Sequence, residues 1–259
     1  MIKKKDIKLL LRSRSWALTQ ASSETFAPGA PLREYQWKGH TIHYRAGTSD
    51  AHLIYGILLK TGKKAEYRLP PKLAPDTILD IGANVGVSAM FFADRFPHAR
   101  IFAVEPLPEN FEVLKRNAEG TGITPINVAL DAEDGKRDLI LSPHESNFGG
   151  LSFYQRGAES DARRVTVTTR NPANLLRELG IEKVDMIKID TEGAEYPILT
   201  AFDPKLLQEV TWITGELHGE RDFELLAYLS QWFDIEMKRS FRKSLFIFNA
   251  CNKKRLDLV

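Results

Sequence analysis

Along the last two thirds of the chain, short unbroken apolar runs alternate with stretches of helical period, and this alternation predicts the fold. TILDI (77–81) reads as a strand and VSAMFFADRF (87–96) as a helix, with Val87, Met90, Phe91 and Ala93 on one side. ARIFAVEP (99–106) is the next strand, stopped by Pro106. PENFEVLKRNAEG (108–120) is a helix with Pro108 near its start and Gly120 past its end. TPINVAL (124–130), VDMIKID (184–190) and TWITGEL (211–217) are further strands. NPANLLRELGIE (171–182), DPKLLQEV (203–210) and ERDFELLAYLSQWF (220–233) are helices, and DIEMKRS with SLFIFNA closes the chain as a hairpin. Continuous apolar strands between helices predict an α/β fold: a Rossmann-like, doubly wound, mostly parallel sheet with a C-terminal antiparallel hairpin.

Two regions break the alternation. Residues 1–76 read as an N-terminal helical arm and a small β extension, with strands in QWKGHTIHYRA and AEYRL, ending at Pro70, Pro71 and Pro75. The remaining 77–259 form the main domain, within which 131–170 is a β-rich insertion carrying GKRDLILS, SNFGGLSFY and RRVTVTT. Long insertions in compact domains often serve as lids. Asn147, Gly149 and Gly150 suit such a lid, and Phe148, Phe153 and Tyr154 offer rings for an acceptor or for a small β core. Trp212, Trp232 and Phe233 read as packing against the sheet.

Composition narrows the classes. Hydrophobic residues at 43% and charged residues at 27% suit a globular domain with a full core, and a net charge of +2 argues against nucleic acid as a partner. The crowding of Lys3, Lys4, Lys5, Lys8, Arg12 and Arg14 reads as a solvated arm. A lone cysteine, Cys251, excludes an internal disulfide. No apolar run spans a bilayer, and the stretch after the basic start, broken by Lys8, fails as a signal segment, so the expected compartment is the cytoplasm, with no membrane partner.

The chemistry gathers at the strand ends, where an open α/β sheet binds its ligand. Strand TILDI runs into Asp80, Gly82, Ala83, Asn84 and Gly86, and the next strand ends in Glu105 and Pro106. The loop lacks the G-x-G-x-x-G spacing of dinucleotide folds, although Asn84 can replace a glycine in a left-handed conformation. Asp190, Glu192 and Glu195 from IDTEGAE, and Glu216 with His218 from GELHGE, add to the same edge. A pyrophosphate there meets repulsion from every close carboxylate. A cationic ligand with adenosine and amino-acid ends fits better, and S-adenosylmethionine is such a ligand: Glu105 for the ribose hydroxyls, Asp80 near the ammonium, and loop N–H groups for the carboxylate.

ILDIGANVGVSAMFFA, FAVEPLPENFEVLKRN, VDMIKIDTEGAEYPILTAF and ITGELH together resemble the FkbM family of S-adenosylmethionine-dependent, class I methyltransferases, and RAGTSD (45–50) and EYRLP (66–70) resemble the segment that precedes the glycine loop there. The likeness runs from about Arg45 to about His218. It implies O-methylation of a hydroxyl on a sugar or secondary metabolite, with Asp80, Gly82, Asn84, Gly86 and Glu105 binding the cofactor. The chain departs from the family pattern at Thr168-Thr169-Arg170-Asn171-Pro172, where Arg170 replaces an apolar residue and Asn171 an acid.

O-methylation needs the two reacting atoms roughly 3–3.5 Å apart and a destination for the hydroxyl proton. His218, ordinarily neutral at pH 7, is one candidate base, with Asp190 beside it in the catalytic set. A divalent cation such as Mg2+, held by Asp190, Glu192 and Glu216, is a second and compatible device. Glu195 reads as an early helix acid. Lys188, in an apolar strand, calls for a carboxylate partner, either as a structural ion pair or to orient Asp190. The partner set is a small hydroxylated acceptor, and a homo-oligomer is compatible with it. N-methylation, a dinucleotide oxidoreductase and a catalytically silent binding module are the alternatives.

Overall fold

The structure, a computed structural model, describes residues 4–141, 151–152, 163–218, 220–240 and 245–258. The expectations placed on Asn147, Phe148, Gly149, Gly150, Phe153 and Tyr154 lie outside the described residues.

Two short helices, α1 (Lys4–Ser13) and α2 (Trp16–Ala21), precede a hairpin of β1 (Arg33–Trp37) and β2 (His40–Tyr44). Then come α3 (Asp50–Leu53) and a π-helical stretch, Ile54–Leu59. AEYRL, expected to be a strand, is assigned to no strand among the described residues: it runs as irregular chain, with the Tyr67 ring packed on Phe91 and Phe92.

The main domain runs β3 (Thr77–Ile81), α4 (Val87–Arg95), β4 (Arg100–Val104), α5 (Pro108–Ala118), β5 (Ile123–Ile126), β6 (Ala129–Leu130), β7 (Gly135–Leu141), β8 (Leu151–Ser152), β9 (Arg164–Arg170), α6 (Pro172–Glu178), β10 (Met186–Ile189), α7 (Glu195–Thr200), α8 (Pro204–Leu207), β11 (Trp212–Leu217), α9 (Asp222–Leu229), β12 (Phe233–Ser240) and β13 (Leu245–Asn252). Among the described residues, seven strands form one sheet in the order β12-β13-β11-β10-β3-β4-β5. The five from β11 to β5 are parallel, and β13 runs antiparallel to both β11 and β12. This is the doubly wound sheet with a C-terminal hairpin that the alternation predicts.

Period two sorts the core onto the two faces. Ile78, Ile101, Ala103 and Met186 turn to one face, where they share a cluster with α4, α5 and residues of the N-terminal extension such as Leu18 and Ile42. Leu79, Ile81, Val104, Ile187 and Ile189 turn to the other, under α6, α7 and α9. All five residues of β3 are buried as a result. Burying each Leu or Ile side chain contributes about 1.5–3 kcal/mol, which makes β3 the anchor for the loop that follows it.

The main domain differs from expectation at two points. The predicted third strand divides because the Asn127 amide donates to the Glu105 and Pro106 carbonyls, turning the chain away after β5. β6 then joins β9, β7 and β8 in a separate sheet, four-stranded among the described residues. Phe233, expected in the preceding helix, instead opens β12. Arg170 and Asn171, the departure from the family pattern, serve α6. Asn171 Oδ1 accepts from the Ala173 and Asn174 amides, and Arg170 pairs with Asp134 and Glu178.

Candidate functional site

The β3–α4 turn is braced from three directions. The Gly82 and Ala83 amides both donate to the Val104 carbonyl at 3.0 Å, and the Asn84 amide donates to Glu105 Oε2 at 2.9 Å. From below, Lys188 Nζ donates to the Gly82 carbonyl at 2.6 Å. The turn needs left-handed backbone at Gly82 (φ 73°), Asn84 (φ 52°) and Gly86 (φ 86°). A Cβ on Gly82 would run into the Asp190 carbonyl, so the loop and the end of β10 touch backbone to backbone.

This bracing corrects two expectations. The Asp80 carboxylate is fully buried under the loop, 3.1 Å from Lys188 Nζ, and accepts from Ser88 Oγ at 2.6 Å. A carboxylate committed to a buried lysine is not placed to meet a ligand's ammonium. The amides of Gly82, Ala83, Asn84 and Gly86 are likewise spent on protein acceptors, so they do not receive a ligand carboxylate. Lys188 thus has its carboxylate partner, Asp80 rather than Asp190. Burial alone would lower its pKa, but the Asp80 and Asp190 charges outweigh that and hold it above the ordinary value.

Above the loop lies a cleft of about 860 Å3, its open mouth included. Of the residues expected at a cofactor, Gly82, Ala83, Asn84, Glu105 and Pro106 line it, while Asp80 and Gly86 act from behind. Glu105 is buried, which raises its pKa, and it is held by the Leu107 amide at 3.0 Å and the Asn110 side-chain amide at 3.2 Å. Val128 and Leu130 give an apolar wall. The buried Oδ1 of Asn84 has no hydrogen-bond partner among the described residues, an acceptor left for a donor on the ligand. A small-molecule site of about 300–1,000 Å3, mostly apolar with a few placed polar groups, suits an adenosine-bearing ligand.

The N-terminal extension supplies the far side of the cleft through Leu53, Ile57, Glu66 and Tyr67, none of which the strand-end argument reached. Glu66 and Tyr67 belong to the EYRLP stretch, but its role as a lining is invisible without the packing of Tyr67 on α4. A smaller recess of about 220 Å3 adjoins the cleft, lined by Thr214, Gly215, Glu216 and Ile247, and the two share Glu66, Tyr67, Lys188 and Asp190. Tyr67 is pushed well above its ordinary pKa by burial, then by Glu66, Asp80, Asp190 and Glu216.

At that junction His218 sits among four acids. Its Nδ1 lies 3.4 Å from Glu195 Oε1 and 4.0 Å from Asp190, and its Nε2 lies 3.4 Å from Glu216 and 3.8 Å from Glu192. Burial would lower its pKa, but the hydrogen bonds to Glu195 and Glu216 and the charges of Asp190 and Glu192 push it up to about 11. These acids favour the imidazolium at pH 7, against the expectation of a neutral base. Asp190 is raised as well: desolvation within the cluster, against the pull of Lys188, takes it to about 7. Glu195, read as a helix acid, has a wider part. Its Oε1 also accepts from the Thr191 and Gly193 amides and shapes the turn that carries Glu192 in a left-handed conformation at φ 54°.

The metal expectation changes too. Ligand atoms of Asp190, Glu216 and His218 lie within 4.8 Å of one another, with His218 in the place expected of Glu192. Two carboxylates and an imidazole do not match the all-oxygen set that Mg2+ takes.

No helix among the described residues is long and apolar enough to cross a membrane. Comparison with known proteins agrees with the geometry. The chain is 26% identical over 208 residues to the AMB antimetabolite synthetase AmbE of Pseudomonas aeruginosa, covering 67% of this chain and 10% of that one. It is 27% identical over 150 residues to the hexuronic acid methyltransferase AglP of Haloferax volcanii, covering 57% and 58%. It is 29% identical over 175 residues to the 2-O-methyltransferase NoeI of Sinorhizobium fredii, covering 58% and 67%. The chain thus spans a tenth of AmbE and under two thirds of AglP. The model of the methyltransferase FkbM domain matches residues 80–244, from the aspartate of the glycine loop to the closing hairpin, and the chain belongs to the FkbM methyltransferase family.

Proposed function

We propose that the protein transfers a methyl group from S-adenosylmethionine to a hydroxyl oxygen of a small neutral or cationic acceptor, such as a sugar or a secondary metabolite. The observation that carries this reading is the junction of the two cavities at Asp190. The cleft beside Glu105 takes the cofactor and the acid-lined recess takes the acceptor, so the reacting atoms meet where Asp190 borders both.

S-adenosylmethionine, when bound, supplies an electrophilic methyl whose carbon–sulfur bond breaks, leaving its electron pair on sulfur, as the carbon–oxygen bond forms. Glu105 accepts hydrogen bonds from the ribose hydroxyls, and Asn84 Oδ1 accepts from a further donor on the ligand. Asp190 takes the acceptor's hydroxyl proton: a pKa of about 7 lies near the operating pH, where a general base is most effective. His218, as imidazolium, orients Asp190 and offsets the charge of Glu192, Glu195 and Glu216. The name of NoeI, a 2-O-methyltransferase, supports an oxygen acceptor, and that of AglP, a hexuronic acid methyltransferase, supports a sugar, although AglP's own acceptor is anionic. The acids around the recess favour one without a negative charge.

The test is transfer of labelled methyl to a panel of hydroxylated acceptors by wild type and by Asp190→Asn. Transfer by wild type, with turnover lost and S-adenosylhomocysteine binding kept in the variant, supports the reading. Turnover equal to wild type in the variant removes Asp190 from the chemistry.

A further inference from the structure

The carboxylate assigned to the ribose is not held by its own strand alone. Asn110, in the first turns of α5, donates its Nδ2 to Glu105 Oε1 at 3.2 Å. The other end of the same amide, Oδ1, accepts from Arg45 Nη2 at 2.8 Å, across 65 positions of sequence. Arg45 is itself locked by Asp50. Its Nε and Nη2 reach the two Asp50 oxygens at 2.9 Å each, and its backbone amide donates to Asp50 Oδ2 at 2.9 Å. Asp50 is fully buried, Asn110 is 1% exposed, and the Arg45 side chain is 10% exposed. The series Asp50–Arg45–Asn110–Glu105 therefore runs through the interior, from the N-terminal extension to the wall of the cleft.

The direction of each bond has a consequence. An asparagine amide has a donor end and an acceptor end of nearly equal shape, and nothing intrinsic chooses between them. Turned the wrong way, Asn110 would set its oxygen against the Glu105 carboxylate. Arg45 can only donate, so its contact with Oδ1 forces Nδ2 toward Glu105. The fork of the guanidinium is needed for this, since one side chain must grip Asp50 and reach Asn110 together.

We propose that Arg45 and Asn110 are positioning residues for cofactor recognition: by fixing the amide, they hold the Glu105 carboxylate in the one orientation that accepts both ribose hydroxyls. The N-terminal extension is then part of the cofactor site, although Arg45 does not line the cleft. The inference rests on the reading that Glu105 binds the ribose.

The experiment measures affinity of the full chain for S-adenosylhomocysteine and for its 2′-deoxy and 3′-deoxy forms. The readout is the ratio of deoxy to ribo dissociation constants. A general weakening of the fold lowers both affinities and leaves the ratio alone. In wild type the ratio is about 10 or more, the value of a hydrogen bond to a charged group. Asn110→Leu keeps the Arg45–Asp50 pair and removes the amide. Arg45→Lys keeps the charge opposite Asp50 and removes the fork. Both bring the ratio below about 3 if the inference holds. A wild-type ratio retained in both variants overturns it, while Glu105 as the ribose ligand survives. A ratio near 1 in wild type overturns the ribose reading and this inference with it. Should Asn110→Leu lose both ligands beyond detection, the ratio in Arg45→Lys decides.

Discussion

Asp80 and Lys188, paired residues on the neighbouring parallel strands β3 and β10, meet 3.1 Å apart in a space closed to solvent. The lysine is the member that touches the glycine loop, through the Gly82 carbonyl, and the aspartate is the counter-ion that lets it stay charged there. The acid before the loop is thus a support for the loop.

Removing one member of such a pair leaves an uncompensated buried charge, at a cost of about 3–5 kcal/mol. Asp80→Asn should lose stability in that range by urea denaturation. Asp80→Asn combined with Lys188→Met should recover about half of the loss or more, because no charge is stranded. Losses that simply add would contradict the pairing.

The pH profile follows from Asp190. A general base works only when deprotonated, so kcat/KM should rise with pH through about 7, where Asp190 ionises. Asp190→Asn should lower kcat by about 10²–10⁴ and remove that rise, with S-adenosylhomocysteine affinity changed by no more than about threefold. The check is a profile from pH 5.5 to 9 for both proteins.

His218 separates the two candidate bases. If its imidazolium charge lowers the pKa of Asp190, then His218→Asn removes a nearby cation and the acid limb of the profile moves to higher pH. A histidine acting as the base would instead take the acid limb away with it, so that the loss grows as pH rises. Full activity in EDTA is expected in both proteins, and a requirement for added divalent metal would return the cation to the site.

The recess should select on charge. Glu66, Asp190 and Glu216 line it, with Glu192 and Glu195 behind, against one imidazolium and Lys188, whose charge is matched by Asp80. Between acceptors matched in size, an amino sugar or neutral sugar should exceed a uronic acid by at least about tenfold in kcat/KM, equivalent to about 1.4 kcal/mol. The preference should shrink in Glu216→Gln. Preference for the anionic acceptor would mean that the recess has been assigned the wrong occupant.

The parts of this fold that were legible in the sequence are those set by local period. The strands TILDI and TWITGEL and the helix behind Pro108 stand within a residue or two of where their patterns place them. The cluster at the strand ends was legible for the same reason, since a parallel sheet brings its carboxyl ends to one edge. What a carboxylate does once there was not legible, because it depends on partners from elsewhere in the chain. Asp80 and Lys188 are 108 positions apart, and no period relates them. The charge on His218 depends on four acids, of which Glu195 lies 23 positions away. Tyr67 and Arg45 reach the site only through the way the N-terminal extension lies on α4 and α5, where tertiary packing decides and local pattern is silent.

The most direct test is calorimetric titration of the wild-type chain with S-adenosylhomocysteine in EDTA, beside Glu105→Ala and beside NAD. The account predicts micromolar binding by wild type without metal, a loss of at least about tenfold in Glu105→Ala, and no binding of NAD. Binding of NAD in place of S-adenosylhomocysteine, or equal affinity in Glu105→Ala, would contradict it.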